Sequence, residues 1–301
     1  MGGEQPGVVC HRIETAGRTL TVYEVGAPDG PAILSHHGTP AAALPFEPWV
    51  DDVVARGARL ISYDRPGYGE STPDPGRTIG DAAADCAAIM DALGVGRFAT
   101  WGISGGGPHA LACAALLPER VVAVASLGGV APFDADGLNY LRGMGADNIV
   151  EFGLAMAGRQ HIQSFCEHEA DQMRNADPGQ VIDAIATLVS APDRYALTGP
   201  FGEHWVASFS VAFAHGASGW IDDDLAFVGP FGFEMSDVRV PALIVHGVQD
   251  RFVPVAHGRW LTAAISNAEA WIEEEDGHIT LLVNRIPAVH QWLLKHLGYS
   301  P

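Results

Sequence analysis

Short apolar runs alternate with amphipathic helical stretches through residue 131, and this rhythm limits the fold more than any other feature of the sequence. VVCHRI (8–13) and TLTVYEVG (19–26) read as an antiparallel opening pair. PAILSHH (31–37), ARLISYDRP (58–66), RFATWGIS (97–104) and VVAVASLGGV (121–130) read as buried strands. Between them lie the helical stretches EPWVDDVVARG, TIGDAAADCAAIMDALG and GGGPHALACAALLPER. In the second of these Thr78 is placed to cap the helix, Asp81 offers a first-turn carboxylate, and Gly94 sits just past the end. Strands joined by helical crossovers pair in parallel, with helices covering both faces of the sheet.

The rhythm breaks between Pro132 and Ser236, where helix-like segments are interrupted by glycine, proline and aspartate and no comparable strand occurs. It resumes with PALIVHG (241–247), VAHGRWLTAAI (255–265), AEAWIEEE (268–275) and ITLLVNRIPAVHQWLLKHLG (279–298). The expected division is therefore an α/β core of residues 1–131 and 237–301, with residues 132–236 inserted as a helical lid. Such a lid would lie over the carboxyl edge of the strands, where ligands of open α/β sheets bind.

WGISGGGPHA (101–110) places one serine among four glycines where a strand gives way to a helix. Gly102-Ile103-Ser104-Gly105-Gly106 fits G-x-S-x-G, a sharp turn that lifts a serine hydroxyl above the sheet. Side chains two positions either side of a strained serine would collide, which accounts for Gly102 and Gly106. A plain glycine-rich turn and a phosphate cradle are the rival readings, but no G-x-x-x-x-G-K-[ST] pattern is present. A serine hydroxyl needs a base, and the base needs an orienting carboxylate. Asp250 follows the strand PALIVHG, and His278 follows the next strand, giving the order Ser, acid, His. The oxyanion of a tetrahedral intermediate needs two N–H donors. Gly105 supplies one, and Thr39, in the His37-Gly38-Thr39-Pro40 loop after PAILSHH, is the best second.

Composition narrows the partners. Seventeen Lys+Arg against 36 Asp+Glu leave a formal net charge of −19, which argues against nucleic acid and anionic membrane. The substrate is expected to be a small molecule. Four scattered cysteines show no paired metal spacing, and Cys86 and Cys113 read as buried helical thiols. FCEHEADQ (165–172) gathers Cys166, Glu167, His168 and Glu169, yet H-E-x-x-H would need histidine at 172, which is glutamine, so no metal is expected. No metal or organic cofactor is called for. MGGEQPGVV lacks a basic segment followed by an apolar run, and a cytoplasmic protein is the default expectation. Glu273, Glu274 and Glu275 read as a solvated strand end or as an amine-capturing cluster, and IDDDL (221–225) carries the same ambiguity. Trp205, Phe209 and Phe213 share one helical face that serves either as lid core or as the wall of an acyl pocket; Trp101 reads as packing.

Five stretches, in order, resemble the α/β-hydrolase superfamily: HGTP (37–40), YDRPGYGES (63–71), GISGG (102–106), GVQD (247–250) and GH (277–278). The resemblance covers almost the whole chain and is similar to the lidded, single-domain serine hydrolases. It implies an α/β-hydrolase fold, a mostly parallel central sheet of about eight strands flanked by helices and carrying a helical cap. In that family DRPGYGES is a structural turn, so Asp64 and Arg65 are expected to be scaffold. The implied catalytic residues are Ser104, Asp250 and His278, with no cofactor, acting on a carboxylic ester or related acyl bond. Carbon–carbon bond hydrolysis, lactone hydrolysis and prolyl aminopeptidase activity are alternatives on the same triad. A cofactor-free perhydrolase or lyase, and a receptor-like binding module, stand further off. Relatives with aspartate at the elbow, the haloalkane dehalogenases and epoxide hydrolases, are disfavoured by Ser104.

Overall fold

A computed structural model describes residues 7–299. Its strands are β1 (Val9–Thr15), β2 (Arg18–Gly26), β3 (Ala32–His36), β4 (Arg59–Tyr63), β5 (Phe98–Ile103), β6 (Val121–Leu127), β7 (Ala242–Gly247) and β8 (Ala268–Glu273). They form one sheet in the order β1-β2-β4-β3-β5-β6-β7-β8. Only the pairings of β2, with β1 and with β4, are antiparallel. All others are parallel, with His36 beside Gly102 and Gly102 beside Ser126 at the central strands. This is the mostly parallel α/β sheet that the alternation of elements demands.

Strands β3, β4, β5 and β7 are buried along their whole length, so they read as continuous apolar runs. Their two-residue period divides them between two cores. Ile33, Leu60, Leu243 and Val245 pack with Val53 of α1 (Glu47–Ala55) and Leu293 of α12 (Ile286–His296). Leu34, Ile61 and Ile244 pack with Ile89 of α2 (Ala82–Ala92), Leu111 of α3 (Gly106–Leu116) and Leu261 of α10 (Val255–Ala264). Each such aliphatic side chain stabilises the fold by about 1.5–3 kcal/mol relative to exposure. Helix α2 begins later than Thr78 suggested. The Asp81 carboxylate accepts from both the Thr78 amide (2.7 Å) and hydroxyl (2.9 Å), closing a turn before Ala82, so Thr78 is not the cap. Gly94 does stand just past the end, with φ of 67°.

Between β6 and β7 the chain is helical: α4 (Ala146–Ala157), α5 (Arg159–Met173), α6 (Pro178–Ala184), α7 (Ala191–Leu197), α8 (Pro200–Ala212) and α9 (Ser218–Val228). Ile162, Cys166, Phe209, Phe213 and Trp220 extend the first of the two cores without a break. These helices are thus packed onto the sheet layer rather than standing apart from it. Among the described residues no helix is long and apolar enough to cross a membrane. The loops that leave β3, β5, β7 and β8 at their carboxyl ends carry Thr39, Ser104, Asp250 and His278.

Candidate active site

Ser104 has φ of 53°, in the left-handed region that a residue with a side chain rarely occupies. Two backbone bonds hold it there: its amide donates to Leu127 (2.8 Å), and its carbonyl accepts from Gly107 (2.9 Å). The flanking glycines are steric necessities. A methyl group on Gly102 would run into the Gly106 carbonyl, and one on Gly106 into the His36 carbonyl. Backbone strain at one residue is retained because strand, helix and neighbouring strand over-determine its position.

Asp250 and His278 meet. The imidazole Nδ1 and the Asp250 carboxylate are 2.6 Å apart, and both residues are buried. The second Asp250 oxygen accepts from the amides of Phe252 (2.9 Å) and Val253 (2.8 Å), which fixes the carboxylate plane. The Phe252 ring lies on the imidazole, 4.7 Å between centroids and 21° from parallel. Burial pulls the His278 imidazole toward its neutral form, but the Asp250 charge and hydrogen bond, helped by Asp193, outweigh it and raise the pKa. His246 stands 3.6 Å from the same carboxylate. Burial depresses its pKa, and its ring nitrogen is engaged by the Val253 carbonyl (2.7 Å). Ser104 and His278 line one cavity, and no hydrogen bond joins them among the described residues. Such contacts in free enzymes commonly tighten only when substrate is bound.

Thr39 and Gly105 lie against each other beside the serine. A methyl on Gly105 would strike the Thr39 side chain and the Phe227 ring. Neither Thr39 N–H nor Gly105 N–H has an acceptor among the described residues. Gly105 N–H stands at the start of α3, where the helix dipole favours negative charge. The Thr39 loop is held from below by Arg65, which donates to the His37 carbonyl (2.6 Å) and the Thr39 hydroxyl (2.9 Å). It is held from above by Asp223 of α9, which accepts from the Thr39 hydroxyl (2.6 Å), Tyr68 (2.8 Å), Arg65 (2.6 Å) and Arg77 (2.7 Å). Burial alone would raise the Asp223 pKa; the two guanidinium groups reverse this and hold it well below the usual carboxylate range. Arg65, expected as scaffold, braces the Thr39 loop through these bonds.

Two cavities open on Ser104. The smaller, about 80 Å³, is walled by Trp49, Trp101, Phe201 and His204. The larger, about 230 Å³, is walled by Phe209, Phe227 and Phe252 and reaches Gly105. Trp205 belongs to both. Of the predicted pocket face, Trp205 and Phe209 line these spaces. Phe213 does not: one turn further along it ends α8, is fully buried, and stacks between Phe209 and Trp220 in the helical core. Trp101, read as packing alone, also walls the smaller cavity. Glu273 pairs with Arg285 (2.8 Å), while Glu274 and Glu275 are exposed; none of the three lines a cavity. The aspartates of IDDDL are all buried, against the solvated reading. Asp222 pairs with Arg159, Asp223 serves the arginines, and Asp224 enters the larger cavity beside Glu151. Burial and its neighbour Glu151 push the Asp224 carboxyl well above its ordinary pKa.

Along α5 the helical period splits the suspected metal cluster, with Cys166 inward, Glu167 and His168 outward, and Glu169 at the larger cavity. Among the described residues one group has metal-ligand chemistry: His36, Cys86 and Cys113, whose ligand atoms lie within 4.8 Å of one another. All three are fully buried, and the two cysteines are free thiols that line neither cavity.

Residues 31–285 match the family model described as alpha/beta hydrolase fold. The chain belongs to the alpha/beta hydrolase family. It is similar to the 2-hydroxy-6-oxononadienedioate/2-hydroxy-6-oxononatrienedioate hydrolase of Burkholderia vietnamiensis, at 26% identity over 87% of this chain and 86% of that one. It is also similar to a non-heme chloroperoxidase of Streptomyces lividans, at 26% identity over 80% and 82%. The solved enol-lactonase of Burkholderia xenovorans superposes with a TM-score of 0.67 at 22% identity, covering 96% of this hydrolase and all (100%) of that chain. The fold is thus the α/β-hydrolase fold, and the protein is an enzyme of that family.

Asp193 of α7 was not singled out by sequence reasoning, and Asp223 of α9 was read only within IDDDL, as solvated or amine-capturing, not as an anchor of the Thr39 loop. Ser190-Ala-Pro-Asp193 carries a helix-start pattern, which places an acid in a first turn but says nothing of a partner 85 residues away.

Proposed function

We propose that this protein is a serine hydrolase that cleaves a carboxylic ester, or a related acyl bond, of an uncharged small molecule. Ser104 Oγ attacks the carbonyl while His278 Nε2 takes its proton. Asp250 holds the proton on Nδ1 and stabilises the imidazolium that forms. Thr39 N–H and Gly105 N–H receive the oxyanion. His278 returns the proton to the leaving group, then activates a water that releases the acyl-enzyme. Helices α4–α9 act as a cap that closes both cavities over Ser104. The observation that carries this reading is the 2.6 Å Asp250–His278 pair on the wall of the cavity that also holds a serine at φ of 53°.

Charge decides among substrates. No lysine or arginine lines either cavity, and Asp147, Glu151, Glu169 and Asp224 line the larger one. A substrate carboxylate entering there would lose hydration with no cation to receive it. That favours an uncharged ester or lactone over a dioate. The second reading, carbon–carbon bond hydrolysis on the same triad, is favoured by the similarity to the oxononadienedioate hydrolase. Labelling with a fluorophosphonate, then turnover of a panel of neutral esters, lactones, prolyl amides and dienedioates, tests both. Label on Ser104 with ester or lactone turnover supports the proposal. Label elsewhere rejects the nucleophile, and preferred turnover of the dioate rejects the charge argument.

A further inference from the structure

His278 leads into α11 (Ile279–Asn284), and its own side chain is committed to Asp250. The acceptor for the start of that helix comes from elsewhere. One Asp193 oxygen accepts from the amides of Ile279 (2.8 Å) and Thr280 (3.0 Å). The other accepts from the His278 amide (3.0 Å) and the Ser190 hydroxyl (2.7 Å). Asp193 is fully buried and, among the described residues, forms no ion pair; its charge is held by these four donors alone. The fit leaves no slack: a methyl on Gly277 would run into the Asp193 carboxylate and the Ser190 hydroxyl, and one on Gly247 below into the Gly277 carbonyl. The segment that presents the imidazole is clamped between α7 and the end of β7.

We propose that Asp193 is a positioning residue for His278: it fixes the backbone from which the imidazole projects and so ties α7 to the catalytic base. The inference rests on the triad reading above. The charged or titratable groups facing the imidazole are Asp250 from the loop after β7, His246 from β7 itself and Asp193 from α7. Removing the Asp193 charge while keeping its shape, as in Asp193→Asn, leaves one amide donor facing the His278 N–H and withdraws a negative charge from the imidazolium. The base then loses placement and becomes easier to deprotonate.

The test compares Asp193→Asn, Ser190→Ala and Ser104→Ala with the wild type on a short-chain activated ester, with active sites counted by fluorophosphonate burst. Asp193→Asn is expected to lower kcat per active site by about 10- to 100-fold, the scale of a small misplacement of a reacting group, with KM changed less than about 3-fold. The acidic limb of its pH–rate profile moves to lower pH, and the His278 imidazole, followed by NMR, titrates lower in step. Ser190→Ala, which removes only the hydroxyl that steadies the carboxylate, gives the same pattern in smaller degree and covers the case in which the aspartate variant does not fold. Wild-type kcat per site with an unmoved imidazole titration in either folded variant overturns the proposal. Full activity in Ser104→Ala instead overturns the triad reading on which it stands.

Discussion

Asp223→Asn is the most demanding single perturbation of this architecture. The wild-type carboxylate is fully buried and takes hydrogen bonds from Arg65, Arg77, Tyr68 and Thr39. Both arginines are themselves buried, at 1% and 8% exposure, so neither can recover its hydration without unpacking. The amide keeps the shape but leaves two buried guanidinium groups without the carboxylate they share. Breaking a buried pair in this way costs about 3–5 kcal/mol, much of it the penalty on the abandoned charge. Equilibrium urea unfolding, fitted with a shared slope, measures the loss. The pH dependence is a second handle. The Asp223 pKa is held well below its unfolded value, so the contribution of the pair is fully present above about pH 4 and is lost as pH falls through the folded pKa. Wild type and variant should therefore differ by the full amount at pH 7 and converge as the medium becomes strongly acid. Because Thr39 loses one of its two side-chain anchors, kcat should fall by about 10- to 100-fold as well, part of the 10²–10³ that one oxyanion donor supplies. A stability loss below about 1 kcal/mol at pH 7, or a difference that does not shrink toward low pH, would refute the reasoning.

Ser104→Gly should abolish ester turnover yet raise stability by roughly 1 kcal/mol, because glycine occupies φ of 53° without strain; a destabilised variant would show that the elbow is not strained. Phe213→Ala should cost about 3–5 kcal/mol with little change in the relative kcat/KM of short and bulky acyl esters, whereas Phe209→Ala, at the larger cavity wall, should alter that ratio; the opposite assignment would return Phe213 to the pocket. With the His278 pKa raised and the base active only when neutral, kcat/KM should climb with pH through an apparent pKa above about 6.5. Asp250→Asn should cut kcat by about 10⁴-fold, and a loss under ten-fold would remove Asp250 from the mechanism.

The strands were legible because burial on both faces leaves continuous apolar runs such as AILSH and ALIVHG, which have few other homes. The placement of Ser104, Asp250 and His278 was legible for a related reason, since each follows such a run and the parallel sheet brings strand ends to one edge. Thr78 was misread because a threonine before a helix is a good cap in isolation, and only the positioned Asp81 carboxylate shows that the turn closes the other way. Phe213 shared the period of Trp205 and Phe209, but period says which face a residue is on and not what that face meets at each turn. IDDDL was opaque for a deeper reason. Three consecutive aspartates look solvated until Arg65, Arg77 and Arg159, brought from up to 158 residues away in sequence, are known to meet Asp222 and Asp223. The partners of a buried charge are long-range facts that composition and spacing do not carry.

The same buried charges bear on how the inserted helices can move. The sequence suggested a lid, which implies a part that lifts. Asp223 on α9 and Asp193 on α7 are both fixed in the layer beneath, the first to Arg65, Arg77 and the Thr39 hydroxyl, the second to three consecutive amides from His278 to Thr280. Raising all six helices together would strip both carboxylates from their donors. It would leave two arginines unpaired at about 3–5 kcal/mol and would also expose the apolar side chains that continue from sheet to insertion. It would moreover release the Thr39 loop and the His278 segment, which Asp223 and Asp193 hold. A rigid lift of the whole insertion is therefore a poor route of entry, because it dismantles what the substrate needs. Entry that leaves α7 and α9 seated keeps Thr39 and His278 in place, and on that geometry these helices position the candidate site residues as much as they cover them.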